Sequence, residues 1–154
     1  MGRLDNYEHI FALAPRPAEK LLTNWTAAAQ NLFIVTGGPI RVISIFGEVQ
    51  VTLKATPMNL SLVAAVTTPS GNVDIASALD CNADAKGTLY KLNTTFGGTM
   101  VAVTAGITDS PWTEFIMPTG TINMTSSAVE DGGGSILWRM TYQPLTTIAV
   151  VTIA

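Results

Sequence analysis

The chain has 154 residues, which suits a single domain, and 47% of them are hydrophobic while only 12% are charged. A charged share of about 25% is usual, so the surface is short of charge and would stay soluble more easily if copies of the chain or a scaffold covered it. The net charge of −3 with scattered basic residues argues against nucleic-acid binding, the single cysteine excludes an intrachain disulfide, and no apolar run reaches the ~20 residues that span a membrane.

Residues 1–30 differ in composition from the rest of the chain. They hold five charged residues before position 20 and the only histidine, and Pro15 and Pro17 interrupt them. The segment that begins at Pro17 predicts a short helix or an extended piece, and the first residues lack the basic and apolar regions of a signal peptide. We expect residues 1–30 to be an N-terminal arm that lies on the body or on a neighbouring subunit, and residues 31–154 to fold without it.

The stretch from Asn31 to Lys54 has the strongest β-strand pattern, NLFIVTGGPIRVISIFGEVQVTLK. Its β-branched residues favour strands, and Gly37-Gly38-Pro39 predicts a tight turn between two of them. Between residues 40 and 46 both alternating faces are largely apolar. A strand of this kind is covered on both sides, by a second sheet, a helix or another subunit.

The rest of the chain alternates short apolar runs with turn residues. The predicted strands are 59–67, 73–79, 88–93, 100–104, 114–117, 120–126, 135–142 and 146–153. Turn signals at intervals of 8–12 residues predict an all-β fold, an antiparallel β-sandwich or barrel with a jelly-roll-like arrangement. The absence of alternating helical segments argues against a parallel sheet.

One loop has the spacing of a cation site. Asp80, Asn82 and Asp84 match the first three ligand positions of a calcium loop. Ala85 stands where that loop needs glycine, however, and Lys91 stands where a bidentate glutamate belongs. We therefore favour an Asx-type loop, in which short polar side chains bond to nearby backbone, and expect no metal or other cofactor.

Catalytic residues are few, and we expect no enzyme. A histidine-based triad would have to use His9, in the arm. A hydrolase that works with paired carboxylates is an alternative, and its candidates are Glu48, Asp74, Asp80, Glu114, Glu130 and Asp131. Nothing in the sequence brings two of them together, and Glu130-Asp131 before Gly132–Gly134 predicts a solvated loop tip.

The tryptophans offer a further alternative, a sugar-stacking site. Trp138 alternates with polar or smaller positions in a strand, which favours a core or interface row. Trp112 follows Pro111 in a loop and is the best candidate for exposure, although a loop anchor tucked into the body remains the favoured interpretation. A tail, baseplate or fibre component of a phage that binds a host surface glycan would use such a residue.

Three segments carry a resemblance to a known family. They are LFIVTGGPIRVISIFGEV at 32–49, LDCNADAKGTLYKLN at 79–93 and FIMPTGTINMTSSAVEDGGGSILWRMTYQPL at 115–145. Together they resemble small structural proteins of tailed-bacteriophage virions and are most similar to head decoration, or cement, proteins. The resemblance implies a sandwich or barrel body, trimeric on the capsid surface, with an arm that reaches over the major capsid protein.

The resemblance also implies where the protein acts and which residues meet its partners. It implies assembly in the host cytoplasm and a final place on the virion surface, with further copies of the chain and the major capsid protein as partners, and no nucleic acid or membrane. It brings no catalytic residues. We expect contacts to the capsid or to other subunits at Tyr7, Phe11, Leu22, Trp25, Phe33 and Trp112.

Overall fold

The computed structural model describes residues 13–104, 106, 108 and 113–154. This part of the chain forms eleven β-strands. They are β1 (Arg16–Thr23), β2 (Ala29–Thr36), β3 (Ile40–Val51), β4 (Asn59–Val66), β5 (Gly71–Asp80), β6 (Leu89–Lys91), β7 (Val101–Val103), β8 (Phe115–Met117), β9 (Gly120–Ser126), β10 (Ser135–Pro144) and β11 (Val150–Ile153). Within the described residues no helix is long and apolar enough to cross a bilayer.

The strands form two antiparallel sheets packed face to face. Sheet A has the order β1-β10-β3-β6-β7, with β8 also paired to β3, and sheet B has the order β11-β2-β9-β4-β5. From β1 to β4 each successive strand lies in the opposite sheet, and β9, β10 and β11 alternate in the same way. This order is that of a jelly roll, a sandwich of two Greek keys. The predicted all-β antiparallel sandwich is confirmed.

Strand β3, from the stretch Asn31–Lys54, is the centre of sheet A. It pairs with β10 along one side and with β8 and β6 along the other. The turn at Gly37-Gly38-Pro39 is present, with both glycines at positive φ, but it carries the chain from sheet B to sheet A, so β2 and β3 are not neighbours in one sheet. A side chain at Gly37 would begin 1.9 Å from the carbonyl oxygen of Ile148, which only glycine avoids.

The core lies between the two sheets. Its largest fully buried side chains include Trp25, Trp138, Tyr90 and Phe33. Gly47 makes room for one of them: a Cβ atom there would lie 3.1 Å from the ring of Trp138. The glycine on β3 thus leaves space for the large ring on β10, as close packing of the interior requires.

Residues 16–23 form an edge strand, not the short helix considered for Pro17. Their burial alternates with period two, and β1 pairs with β10 along all eight residues. Proline is tolerated on an edge strand because one side of the strand needs no donor. Residues 16–30 of the expected arm therefore supply β1 and the start of β2, and residues 1–12 lie outside the described part.

Candidate interaction surfaces

The outer face of sheet B is nearly free of charge. Strands β2, β4, β9 and β11 contain no Asp, Glu, Lys or Arg, and β5 contains only Asp74 and Asp80. We call this surface the neutral face. Its outward-pointing residues on the three central strands are Asn31, Ile34, Ser61, Val63, Ala65, Thr121, Asn123 and Thr125. A sheet face open to water usually carries charged and strongly polar residues, so this composition is typical of a covered surface.

Asn123 lies at the centre of the neutral face. It pairs with Asn31 on β2 and with Val63 on β4, and these neighbours leave its side chain only 8% exposed. Its side-chain oxygen accepts no hydrogen bond from the described residues. Enclosed polar atoms normally have a partner, so Asn123 is an unusual polar group packed within an otherwise neutral surface.

The outer face of sheet A differs from the neutral face, because it carries charged side chains that pair with one another. Arg139 on β10 hydrogen-bonds to Glu19 on β1 and to Glu48 on β3, and its guanidinium lies 5.8 Å from the ring centre of Phe46. The hydrogen bond that Arg139 donates to Glu48 is the main reason that the pKa of Arg139 is raised. These charges satisfy one another within the chain.

An apolar groove of about 560 Å³ opens where the β4–β5 turn meets β8. Val66, Val73, Phe96, Phe115 and Ile116 contribute to its walls. The rings of Phe96 and Phe115 pack with centres 5.3 Å apart, and Ile116 is 67% exposed. The groove is therefore an open apolar surface, and a packed pair of phenylalanine rings forms part of it.

A convex apolar feature lies at the other edge of sheet B. Ile148, in the connection between β10 and β11, is 69% exposed, and Leu145 in the same connection is also exposed. The connection is held in a turn by a hydrogen bond from the amide of Ala149 to the carbonyl of Thr146. Strand β11 follows at once and is the edge strand of sheet B.

Five of the six candidate carboxylates, all except Asp74, are seen in structural contacts. Glu114 pairs with Arg41 at the rim of the groove, and Asp131 pairs with Lys54, which lowers its pKa. Glu130 corrects the expectation of a solvated loop tip: its side chain is fully buried. It is enclosed because main-chain amides of two loops donate to it.

The loop at Asp80–Asp84 uses its oxygens locally. The amide of Asn82 donates to the side chain of Asp80 at 3.1 Å, which is the Asx-type bond of the favoured interpretation. Asp84 accepts a 2.7 Å hydrogen bond from the hydroxyl of Tyr90. In the described part of the chain no three His, Cys, Asp or Glu side chains are grouped as metal ligands would be.

The six predicted contact residues fall into two groups. Leu22, Trp25 and Phe33 are enclosed by the chain's own two sheets. Tyr7, Phe11 and Trp112, like His9, lie outside the described residues. A contact role stays a prediction for all six. Trp138 lies in the inward-facing row expected for it. The neutral face and the groove depend on which strands are neighbours, which no local sequence pattern predicts.

Similar strand arrangements occur in solved virus structures. A chain from the acidic stable capsid of Helicobacter pylori bacteriophage KHP30 has a TM-score of 0.43 and 9% sequence identity, with 92% of this chain and 100% of that chain covered. A chain of infectious bursal disease virus, Gx strain, has a TM-score of 0.30 and 16% identity over 88% of this chain and 38% of its own. A chain of the T13 IBDV particle has a TM-score of 0.29 and 12% identity over 90% of this chain and 38% of its own. No protein-family model and no curated protein sequence matches the chain.

Proposed function

We propose that this chain is a structural virion protein that decorates and stabilises a phage capsid by binding the lattice of the major capsid protein as a trimer. The resemblance of three sequence segments to head decoration proteins supports the proposal. So does the jelly-roll strand order, an architecture used by viral capsid domains and by lectins. The observation that carries the proposal is the neutral face, which we assign as the surface that meets the capsid lattice.

The size of the neutral face favours binding by several copies at once. The five strands span four spacings of about 4.8 Å, and eight residues at about 3.4 Å rise span about 27 Å, so the face covers roughly 500 Å² in projection. A standard stable interface buries roughly 800 Å² on each partner. One face alone is therefore small, whereas three faces held together in a trimer bind with a high effective concentration.

The chemistry of the face fits a lattice surface that offers hydrogen-bond donors between apolar groups. Binding removes almost no charged group of this face from water. The desolvation cost that opposes binding is therefore small. The side-chain oxygens of Thr121 and Thr125, which are half-buried on this face, can accept such hydrogen bonds. The proposal includes no catalytic step.

The test uses phage particles from which this protein has been removed by gene deletion. Purified wild-type protein should co-sediment with these particles and raise the temperature at which they release their genome. Thr121→Lys places a charge in the neutral face, and we expect at least about tenfold weaker binding, because the buried ammonium would have no partner.

The matched control is Thr141→Lys. Thr141, like Thr121, is a half-buried threonine within a β-strand. It lies on β10 and points outward from sheet A. This variant should bind as the wild type does. Wild-type protein that fails to bind the depleted particles, or equal binding by the two lysine variants, would contradict the proposal.

A further inference from the structure

We infer that copies of this chain associate head to tail, with Ile148 of one copy inserted into the apolar groove beside Ile116 of the next. The inference deepens the proposed trimer and rests on it for the closure of the ring. The pairing of a concave and a convex apolar feature on one chain is the observation that leads to it.

The two features lie at the same end of the sandwich and at opposite edges of sheet B. A single row of paired residues crosses the sheet at that end, from the groove to β11: Gly71, Val66, Gly120, Val35 and Val151. Four strand spacings separate the two edges, about 19 Å. Ile148 lies in the connection just before β11, close to one end of this row. Val66, Gly71 and Ile116 line the groove at the other end of the row.

The surfaces match in chemistry as well as in shape. Ile148 and Ile116 are the two most exposed large apolar side chains among the described residues. Glu114 is the charged side chain that lines the groove, and it already pairs with Arg41, so its carboxylate keeps a partner when the groove is covered. Exposed apolar features of this kind mark sites of association.

The arrangement favours head-to-tail contact over a twofold contact. A twofold axis that passed through the groove would place one groove against another and leave each Ile148 in water. A head-to-tail contact fills the groove and buries Ile148 in every copy, and such contacts close into rings when the rotation between copies allows it. The contact would also cover β11, the edge strand of sheet B. Charged residues and proline usually protect an exposed edge strand from pairing with another chain, and β11 contains neither.

The experiment measures mass in solution for four purified proteins. Wild-type protein should form a closed ring. Ile116→Asp removes the apolar groove wall and Ile148→Asp removes the inserted side chain, and we expect each variant to be monomeric while keeping the far-ultraviolet circular dichroism of the wild type. Val129→Asp changes an exposed apolar residue in the β9–β10 connection, at the opposite end of the sandwich, and should leave the ring intact.

A mixture of the two monomeric variants makes the test specific. The Ile116→Asp chain keeps Ile148, and the Ile148→Asp chain keeps a complete groove, so one intact contact remains and the mixture should form a dimer of one chain of each kind. A twofold contact between two grooves predicts no such recovery, and a reciprocal twofold contact would make the wild-type protein a dimer instead of a ring. Wild-type protein that stays monomeric, variants that still form rings, or a mixture that stays monomeric would each overturn the inference.

These outcomes are separate from those of the capsid test. A monomer that binds depleted particles would overturn the head-to-tail contact and leave capsid binding in place. A ring that binds no particle would do the reverse.

Discussion

The side chain of Glu130 accepts a 2.8 Å hydrogen bond from the main-chain amide of Lys54, which lies 76 positions earlier in the chain. The same carboxylate accepts bonds from the amides of Gly132 and Gly134 at 2.9 and 3.2 Å. A buried charge is tolerated only when it is paired or fully hydrogen-bonded. Glu130 therefore ties the β3–β4 connection to the β9–β10 connection.

Replacing Glu130 by glutamine should destabilise the fold. The amide nitrogen of glutamine cannot accept, so at least one main-chain donor loses its partner, at a cost of about 1–3 kcal/mol in the free energy of unfolding. Denaturation with urea at a fixed protein concentration measures the loss. Asp131→Asn removes the neighbouring exposed partner of Lys54 and should leave the midpoint unchanged. Equal losses from the two variants would show that Glu130 is no more important than a surface charge.

Stability should fall at alkaline pH, and Cys81 should account for part of the fall. Burial, reinforced by Asp84 and Asp80, raises the pKa of the Cys81 thiol from 9.0 to about 12. Between pH 9 and 12 the unfolded chain loses this proton while the folded chain keeps it, so the free energy of unfolding decreases as pH rises. Burial and the hydrogen bond to Asp84 raise the pKa of Tyr90 in the same direction.

The measurement is a set of urea denaturations between pH 8 and pH 11. One proton corresponds to about 1.4 kcal/mol per pH unit at most. Cys81→Ala should flatten the dependence, and the part that remains should belong largely to Tyr90. The thiol should also resist a thiol-reactive dye in the folded protein at pH 8. An unchanged slope in Cys81→Ala would show that the thiol does not titrate in this way.

Gly47 should not accept a side chain. Its added Cβ would lie 3.0 Å from the methyl group of Ile136 and 3.1 Å from the ring of Trp138, so Gly47→Val overpacks the core and should cost about 1–3 kcal/mol. Thermal unfolding gives the comparison. Gly71→Val is the matched control, since nothing lies within 4 Å of a Cβ at that position; because Gly71 lines the groove, both variants are compared in the monomeric Ile148→Asp background. If both valine variants unfold at the temperature of that background, the core around Trp138 is looser than described.

Removing residues 1–30 should abolish cooperative unfolding, which reverses the expectation from composition that the remainder folds alone. The deletion removes all of β1 and buried Trp25. Loss of one large buried aromatic side chain costs about 3–5 kcal/mol, against a total stability of about 5–15 kcal/mol for a typical protein. Near-ultraviolet circular dichroism during heating reports the result. A sharp transition in the truncated chain would restore the boundary at residue 30.

The strands that sequence predicted well are those whose pattern is local. Strand β9 was expected at 120–126 and is found at Gly120–Ser126. The alternation around Trp138 also predicted correctly that Trp138 and its alternate neighbours on β10 point into the core. A strand's two-residue periodicity is enough to decide this. For such segments the neighbours along the chain carry enough information.

The features that sequence missed depend on residues far apart in the chain. Strand β1 carries one proline and three charged residues, and only its pairing with β10 decides between the helix and the extended piece that the sequence left open. Burial of Glu130 follows from an amide donor on Lys54, which no local pattern reveals. The neutral face likewise requires that β2, β9 and β4 lie side by side. Composition predicted a covered surface without showing where it lies.

The position of β10 between β1 and β3 also governs how the chain is made. Residues 16–23 find their partner only among residues 135–142. At ribosomal rates of about 5–20 residues per second, β1 waits roughly 6–25 s after its own synthesis before that partner exists. Pairings so distant in sequence fold slowly, in milliseconds to seconds. An almost complete nascent chain therefore still lacks a finished sheet A, and β1 and β3 have no strand between them until β10 has been made.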